Sequence, residues 1–232
     1  MSLLSVRQLA AYYGDFQALF AIDFEIEASQ TIALIGANGA GKSTLLKTIT
    51  GLLNAPRETI YFDGTAIGGL PAYSIVKRGI AMVPEGRRLF PSLSVGENLL
   101  MGAKAGRSGP WTLERVYRLF PMLQEFRHNR STALSGGQQQ MVAIGRALLS
   151  NPKLLLCDEL SLGLAPVVIK DIYAMLPQIL SGGASLVLVE QDINQAMQVA
   201  DRLYCLQEGR ISLHGKPDEL SRAQISAAYF GI

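Results

Sequence analysis

The chain has 232 residues, 49% of them apolar and 17% charged, and 21 basic against 19 acidic side chains leave a net charge of +2. This much apolar material excludes a disordered chain, and so even a charge balance gives no basis for a nucleic-acid partner. Apolar runs are short and broken by Gly, Gln or charge, so no membrane span is expected, and the first fourteen residues lack the apolar core of a secretory signal.

In chain order, Leu3 to Tyr13 and Leu19 to Ile26 read as strands around a Gly14-Asp15 turn. Thr31 to Ile35 is a short apolar run before a glycine-rich loop. Leu45, Leu46, Ile49, Leu52 and Leu53 then recur at helical spacing, with Gly51 near the stop. Ile60 to Phe62 ends at Asp63-Gly64, a strand and a turn, and Ile80 to Val83 is a further apolar run. From about Leu89 to Ser150 the periodicity is helical. Ser94 with Glu97 forms a capping box, residues 104–110 read as a loop, Leu113 to Phe126 is one amphipathic stretch, and Gln138 to Leu149 is another helix. Leu154 to Cys157 and Leu186 to Val189 suit buried parallel strands, with Val167 to Leu180 a covering helix between them. Leu203 to Leu206 and Ile211 to Leu213 flank Glu208-Gly209 as a hairpin, and Pro217 to the C-terminus looks helical. Strand–helix alternation predicts an α/β fold with a largely parallel sheet. The expected division is a core over about 1–85 and 151–232, with a helical lobe over about 86–150. Cys157 and Cys205 lie in apolar segments without a C-x-x-C, which reads as buried cytosolic thiols.

Glycine is in excess, 23 residues against a usual share of about 7%, so the placing of these glycines carries the functional question. Gly36, Ala37, Asn38, Gly39, Ala40, Gly41, Lys42 and Ser43, followed by Thr44, fit G-x-x-x-x-G-K-[ST] between a strand and a helix. Glycines let the backbone wrap a polyphosphate, the helix N-terminus adds its dipole, Lys42 a full charge, and the Ser43 hydroxyl a ligand for Mg²⁺. Asp158-Glu159 directly follows a buried strand, where carboxylates point into the ligand crevice of such sheets. There Asp158 can hold Mg²⁺ and Glu159 can take a proton from water. Ser135-Gly136-Gly137-Gln138 stands before a second helix. It is a plain helix cap or a second anion site, and the sequence leaves open whether both glycine loops meet within one chain or across two.

Together these motifs resemble the ATP-binding cassette (ABC) ATPases over nearly the whole chain. Residues 36–43 match Walker A, Leu154 to Glu159 match Walker B, and Leu134 to Gln138 read LSGGQ, the family signature. The resemblance implies a P-loop NTPase (RecA-like) core with N-terminal antiparallel strands and an inserted helical lobe. It implies ATP and Mg²⁺ as cofactors, and cassettes paired head to tail, each ATP between Lys42 of one and Ser135 of the other. Tyr13 matches the residue that stacks on adenine, though a strand tyrosine can equally be core. Ser161 to Pro166 matches the loop crossing the dimer interface.

Four positions depart from the family pattern: Glu85 stands for Gln, Leu160 for Pro, Ala165 for Asp, and Gln191 for the switch His. Three of them, within VPEGRRLFP, SLGLAP and LVEQ, are similar to the smaller ATPase subunit of branched-chain amino acid importers. Urea and amide importer subunits share much of the pattern. Leu160 restores a backbone N–H that proline lacks. In the implied mechanism Lys42, Ser43 and Asp158 position the triphosphate with Mg²⁺, and Glu159 activates water. Gln191 orients by hydrogen bonds but cannot take a proton, and Glu85 ligates Mg²⁺ or raises the Glu159 pKa. The implied partners are transmembrane permease subunits, a second ABC ATPase subunit, identical or not, and, indirectly, an external solute-binding protein. Nucleic acid is not among them. Arg87 and Arg88 are offered to a permease coupling helix or to solvent. The chain is expected on the cytoplasmic face of the cell membrane. A non-transport ABC ATPase would be expected to carry two cassettes or a long coiled coil, and a catalytically dead module is opposed by the intact Asp158-Glu159 pair.

Overall fold

The computed structural model describes residues 2–104 and 107–231. The loop expected over 104–110 falls partly on 105–106, outside the described residues. Residues 1–75 with 185–232 form one compact unit and residues 76–184 another.

In the first unit, β1 (Ser2–Tyr13) and β2 (Phe16–Glu27) form the expected antiparallel hairpin, and β4 (Ile60–Phe62) and β5 (Thr65–Ala66) extend that sheet in the order β2-β1-β4-β5. Along β2, side chains from Phe24 on alternate buried and exposed, as a sheet with one wet face requires. β3 (Thr31–Ile35) is buried throughout. It pairs in parallel with β8 (Ser185–Val189) and with β9 (Arg202–Gln207), and β9 turns back antiparallel into β10 (Arg210–Gly215). Ala33, Ile35, Leu203 and Cys205 from these strands pack with Ala196 of α8 (Ile193–Val199) and Ile225 of α9 (Arg222–Phe230). α9 starts at the Ser221 cap, so residues 217–220 stay outside the helix expected there.

α1 (Lys42–Ile49) ends where Gly51 takes a φ of 70°. Leu52, on the expected apolar stripe, is therefore past the helix and 64% exposed. The division between units falls within α2 (Ala72–Arg78).

In the second unit, β6 (Ile80–Val83) and β7 (Leu154–Asp158) are parallel, as expected of buried apolar runs. The helices are α3 (Val95–Ala103), α4 (Leu113–Leu119), α5 (Pro121–Glu125), α6 (Gly136–Leu148) and α7 (Pro166–Leu180). The single amphipathic stretch expected over 113–126 is thus two helices. Pro121 pushes Phe120 out of the helical region, to φ −129° and ψ 75°. α3 and α6 cross closely. A Cβ at Gly102 would collide with the Arg146 carbonyl, and one at Gly145 would lie 2.8 Å from Leu99 and Val116. Because α6 packs on β6 and α7, these elements group with the helices, so the compact units divide at other positions than the composition suggests.

Candidate active site

The first unit carries the phosphate loop on the end of β3. Gly36, Gly39 and Gly41 have φ of 150°, 82° and 105°, values open to glycine and strained for other residues. A Cβ at Gly36 would also strike the Leu206 carbonyl oxygen. The loop is braced by the turn at Gly209, itself held by β2. The Gly209 N–H donates to the Ala40 carbonyl at 2.9 Å, and the Phe20 N–H donates to the Gly209 carbonyl at 2.8 Å. Lys42 is 4% exposed, and its Nζ donates to the carbonyls of Gly36 at 2.8 Å and Ala37 at 3.0 Å. The ammonium is thus held inside the loop curl. Gly41 caps α1 with no side-chain acceptor, so the first N–H groups of that helix are directed to whatever the loop binds. Ala37, Asn38 and Gly39 are exposed at the tip, and Ser43 and Thr44 are half-buried.

Tyr13 is 45% exposed, which removes the reading of a core tyrosine. It lines a cavity of about 560 Å³ together with Phe16, Ala18, Gly39, Gly41 and Thr44. An aromatic wall thus faces the phosphate loop across a space large enough for a nucleotide. Gln191 is exposed just after β8, and Glu190 beside it is 1% exposed, its N–H donating to Leu34 of β3 at 3.3 Å. Glu190 was not among the expected residues. An acid directly after an apolar strand was its signal, the same one that marks Asp158.

The second unit carries the acidic pair and the signature. Asp158 ends β7 and is 2% exposed, and Glu159 follows with a φ of 51°. Leu160 is 1% exposed, so the side chain that replaces the family's proline is a core residue. Ala165 caps α7 without a side-chain acceptor, with Pro166 at the first helical position; an Asp there could have capped it. Ser135 caps α6 in a capping box with Gln138, accepting from the Gln138 N–H at 3.3 Å while the Gln138 side chain accepts from the Ser135 N–H at 2.8 Å. The Ser135 hydroxyl keeps its proton to donate outward. A Cβ at Gly136 would lie 3.1 Å from the Arg87 guanidinium, and one at Gly137 2.5 Å from Val168.

Arg87 is therefore beside the signature, and the residues around it are tightly held. Gly86, Arg87 and Arg88 have successive φ of 71°, 64° and 46°. Arg146 of α6 holds this left-handed run, donating to the carbonyls of Arg87 at 2.9 Å and Arg88 at 2.8 Å. Burial lowers the pKa of the Arg146 guanidinium from its ordinary value. Asn98, fully buried, fixes the next turn by accepting from the Phe90 N–H at 2.8 Å and donating to the carbonyls of Phe90, Leu93 and Ser94. Glu85 is exposed at the start of the segment. No spacing in the sequence announced the Arg146 clamp.

The profile of the ABC transporter family matches residues 19–161 of this chain. The chain belongs to the ABC transporter family. This cassette is 45% identical to the branched-chain amino acid transport ATP-binding protein BraG of Pseudomonas aeruginosa, over 99% of this chain and 100% of that one. It is 32% identical to a probable branched-chain amino acid transport ATP-binding protein, LivF, of Archaeoglobus fulgidus, over 94% of both chains. Among solved structures it is similar to the ADP conformation of an ATP-binding cassette of an ABC transporter, with a TM-score of 0.82 and 27% identity over 100% of each chain. The expected P-loop fold and ATPase class of this cassette are thereby borne out. No helix among the described residues is long and apolar enough to cross a membrane.

Proposed function

We propose that this cassette energises the import of branched-chain amino acids through permease subunits supplied by other chains. The observation that carries this reading is the 45% identity to BraG along practically the full length of both proteins. Family membership supports a cassette dimer and a permease partner, which would hold the chain at the cytoplasmic face of the membrane. An external solute-binding protein would deliver the substrate.

In the proposed site, the phosphate loop takes the triphosphate and Lys42 turns its ammonium from the loop carbonyls to the phosphates. Tyr13 stacks on the base. Ser135, with the N–H groups of Gly136 and Gly137, meets the nucleotide of the partner cassette. The donors fit Mg²⁺: a hydroxyl at Ser43 and a carboxylate at Asp158 are hard oxygen ligands, and Mg²⁺ bound with phosphates needs few from protein. Glu85 is an additional carboxylate that such a metal can recruit. The metal would neutralise charge on the phosphates. Glu159 accepts the proton of the attacking water, and Gln191 orients that water or the γ-phosphate by hydrogen bonds.

The chain is purified with its membrane partners from its native cell, and the complex is assayed for ATPase activity. A branched-chain permease pair and substrate-stimulated hydrolysis support the proposal, whereas ribosomal proteins, DNA or a permease for another solute overturn it. In that complex Glu159→Gln should bind ATP but lose roughly 10²–10⁴-fold in turnover, the range for removing a general base. Turnover at the unmodified rate would assign the proton to another group.

A further inference from the structure

Apart from the nucleotide machinery, the second unit has a small cavity of about 290 Å³ between α4 and the end of α7, lined by Trp111, Arg115, Arg118, Leu119, Gln178 and Ser181. Its polar groups are chiefly donors. No carboxylate lines it, and neither arginine forms an ion pair among the described residues. Glu114, adjacent on α4, is exposed and lies outside the lining.

The walls are rigid. Trp111 is 4% exposed, and its backbone is pinned by Asn151, whose Oδ1 accepts from the Trp111 N–H at 2.7 Å and whose Nδ2 donates to the Trp111 carbonyl at 3.1 Å. The Arg115 guanidinium lies over the indole, 4.3 Å from the ring centroid, so stacking holds the cation in place. The buried indole Nε1 has no acceptor among the described residues. Gly182 approaches this nitrogen closely enough that a Cβ would stand 2.9 Å from it, so a larger residue would crowd the indole edge. Two guanidinium groups without an ion pair, at one cavity that no carboxylate lines, favour an anion.

We propose that this cavity binds a small phosphate compound, either inorganic phosphate or a phosphate monoester. The guanidinium of Arg115 offers a stacked, fixed donor plane and that of Arg118 a second cation from the adjoining turn of α4. The Gln178 amide supplies a neutral donor, and the Ser181 hydroxyl, which donates to the Gln178 carbonyl at 2.8 Å, accepts from a protonated phosphate oxygen.

Trp111 is the single tryptophan of the chain, so its emission reads this cavity directly. The cassette is saturated with ADP to occupy the phosphate loop, and phosphate or glycerol phosphate is titrated at constant ionic strength. A saturable change in emission is expected with half-saturation on the order of 1 mM, as befits a shallow, partly wet site. The tighter of the two compounds identifies the source. Arg118→Gln, an exposed position off the indole, should weaken half-saturation at least ten-fold while leaving the melting temperature unchanged. Gly182→Ala should weaken it as well. An unsaturable change, the same change with sodium chloride, or full binding in Arg118→Gln would each overturn the proposal.

Discussion

The two glycine loops of this cassette look alike in sequence and differ in construction. In the phosphate loop, glycine is needed for backbone shape: Gly36, Gly39 and Gly41 all lie at positive φ, and α1 begins without a side-chain cap. In the signature, glycine is needed for space. Gly136 and Gly137 have ordinary helical dihedrals and make room for Arg87 and Val168, and α6 is already capped by its own Ser135 and Gln138. The first loop leaves the start of α1 without a side-chain cap. The second is a finished helix start that offers only a hydroxyl proton and two open amides. A ligand should therefore be held by the first and sensed by the second.

The sharpest contrast should come from paired substitutions. Lys42→Ala should lower nucleotide affinity of the isolated cassette by roughly 10²-fold or more, the size of a lost charge-assisted contact of about 3 kcal/mol. Ser135→Ala should leave that affinity unchanged in the same calorimetric titration. Equal losses would mean that both loops grip the nucleotide within one chain.

Stability should separate the loops next. Gly36→Ala combines backbone strain with a collision against the Leu206 carbonyl, about 3 kcal/mol in all, and should lower the melting temperature by roughly 10 °C. Gly137→Ala meets only the Val168 side chain at ordinary φ, so a cost of about 1 kcal/mol is expected. A reversed order would show that the Val168 contact constrains the signature more than strain and the Leu206 collision constrain the phosphate loop. Ser135→Ala removes a capping acceptor and should cost about 1 kcal/mol in the same melts.

The smallest effect is kinetic. Each region holds one buried thiol, Cys205 in β9 and Cys157 in β7. Burial raises the Cys205 pKa, so at pH 8 iodoacetamide should label it only as the fold opens. Nucleotide should slow Cys205 labelling more than Cys157 labelling. Equal protection would mean that the two regions open together.

The sequence was most readable where one residue type does one physical job. Apolar runs such as Thr31 to Ile35 became buried strands, and Ser94 with Glu97 formed the capping box that their spacing predicts. It was least readable where an element buries little. α2 and α8, with Ile75 and Ala196 as their fully buried residues, have no stripe to detect, although Asp192 does cap α8. Pro121 was a local break that an amphipathic average conceals. For the site, the residue types of the phosphate loop and the acidic pair were legible, because anion chemistry permits few alternatives. The inward turn of Arg87 and its clamp by Arg146 were not, since both depend on carbonyls brought together only by folding.

Gly209 links the phosphate loop to a hairpin near the other end of the chain. During synthesis, residues 36–44 leave the ribosome long before that turn exists. At about 5–20 residues per second the nascent loop waits roughly 8–33 seconds for its brace. The phosphate loop therefore reaches its braced form only after β9 and β10 have emerged.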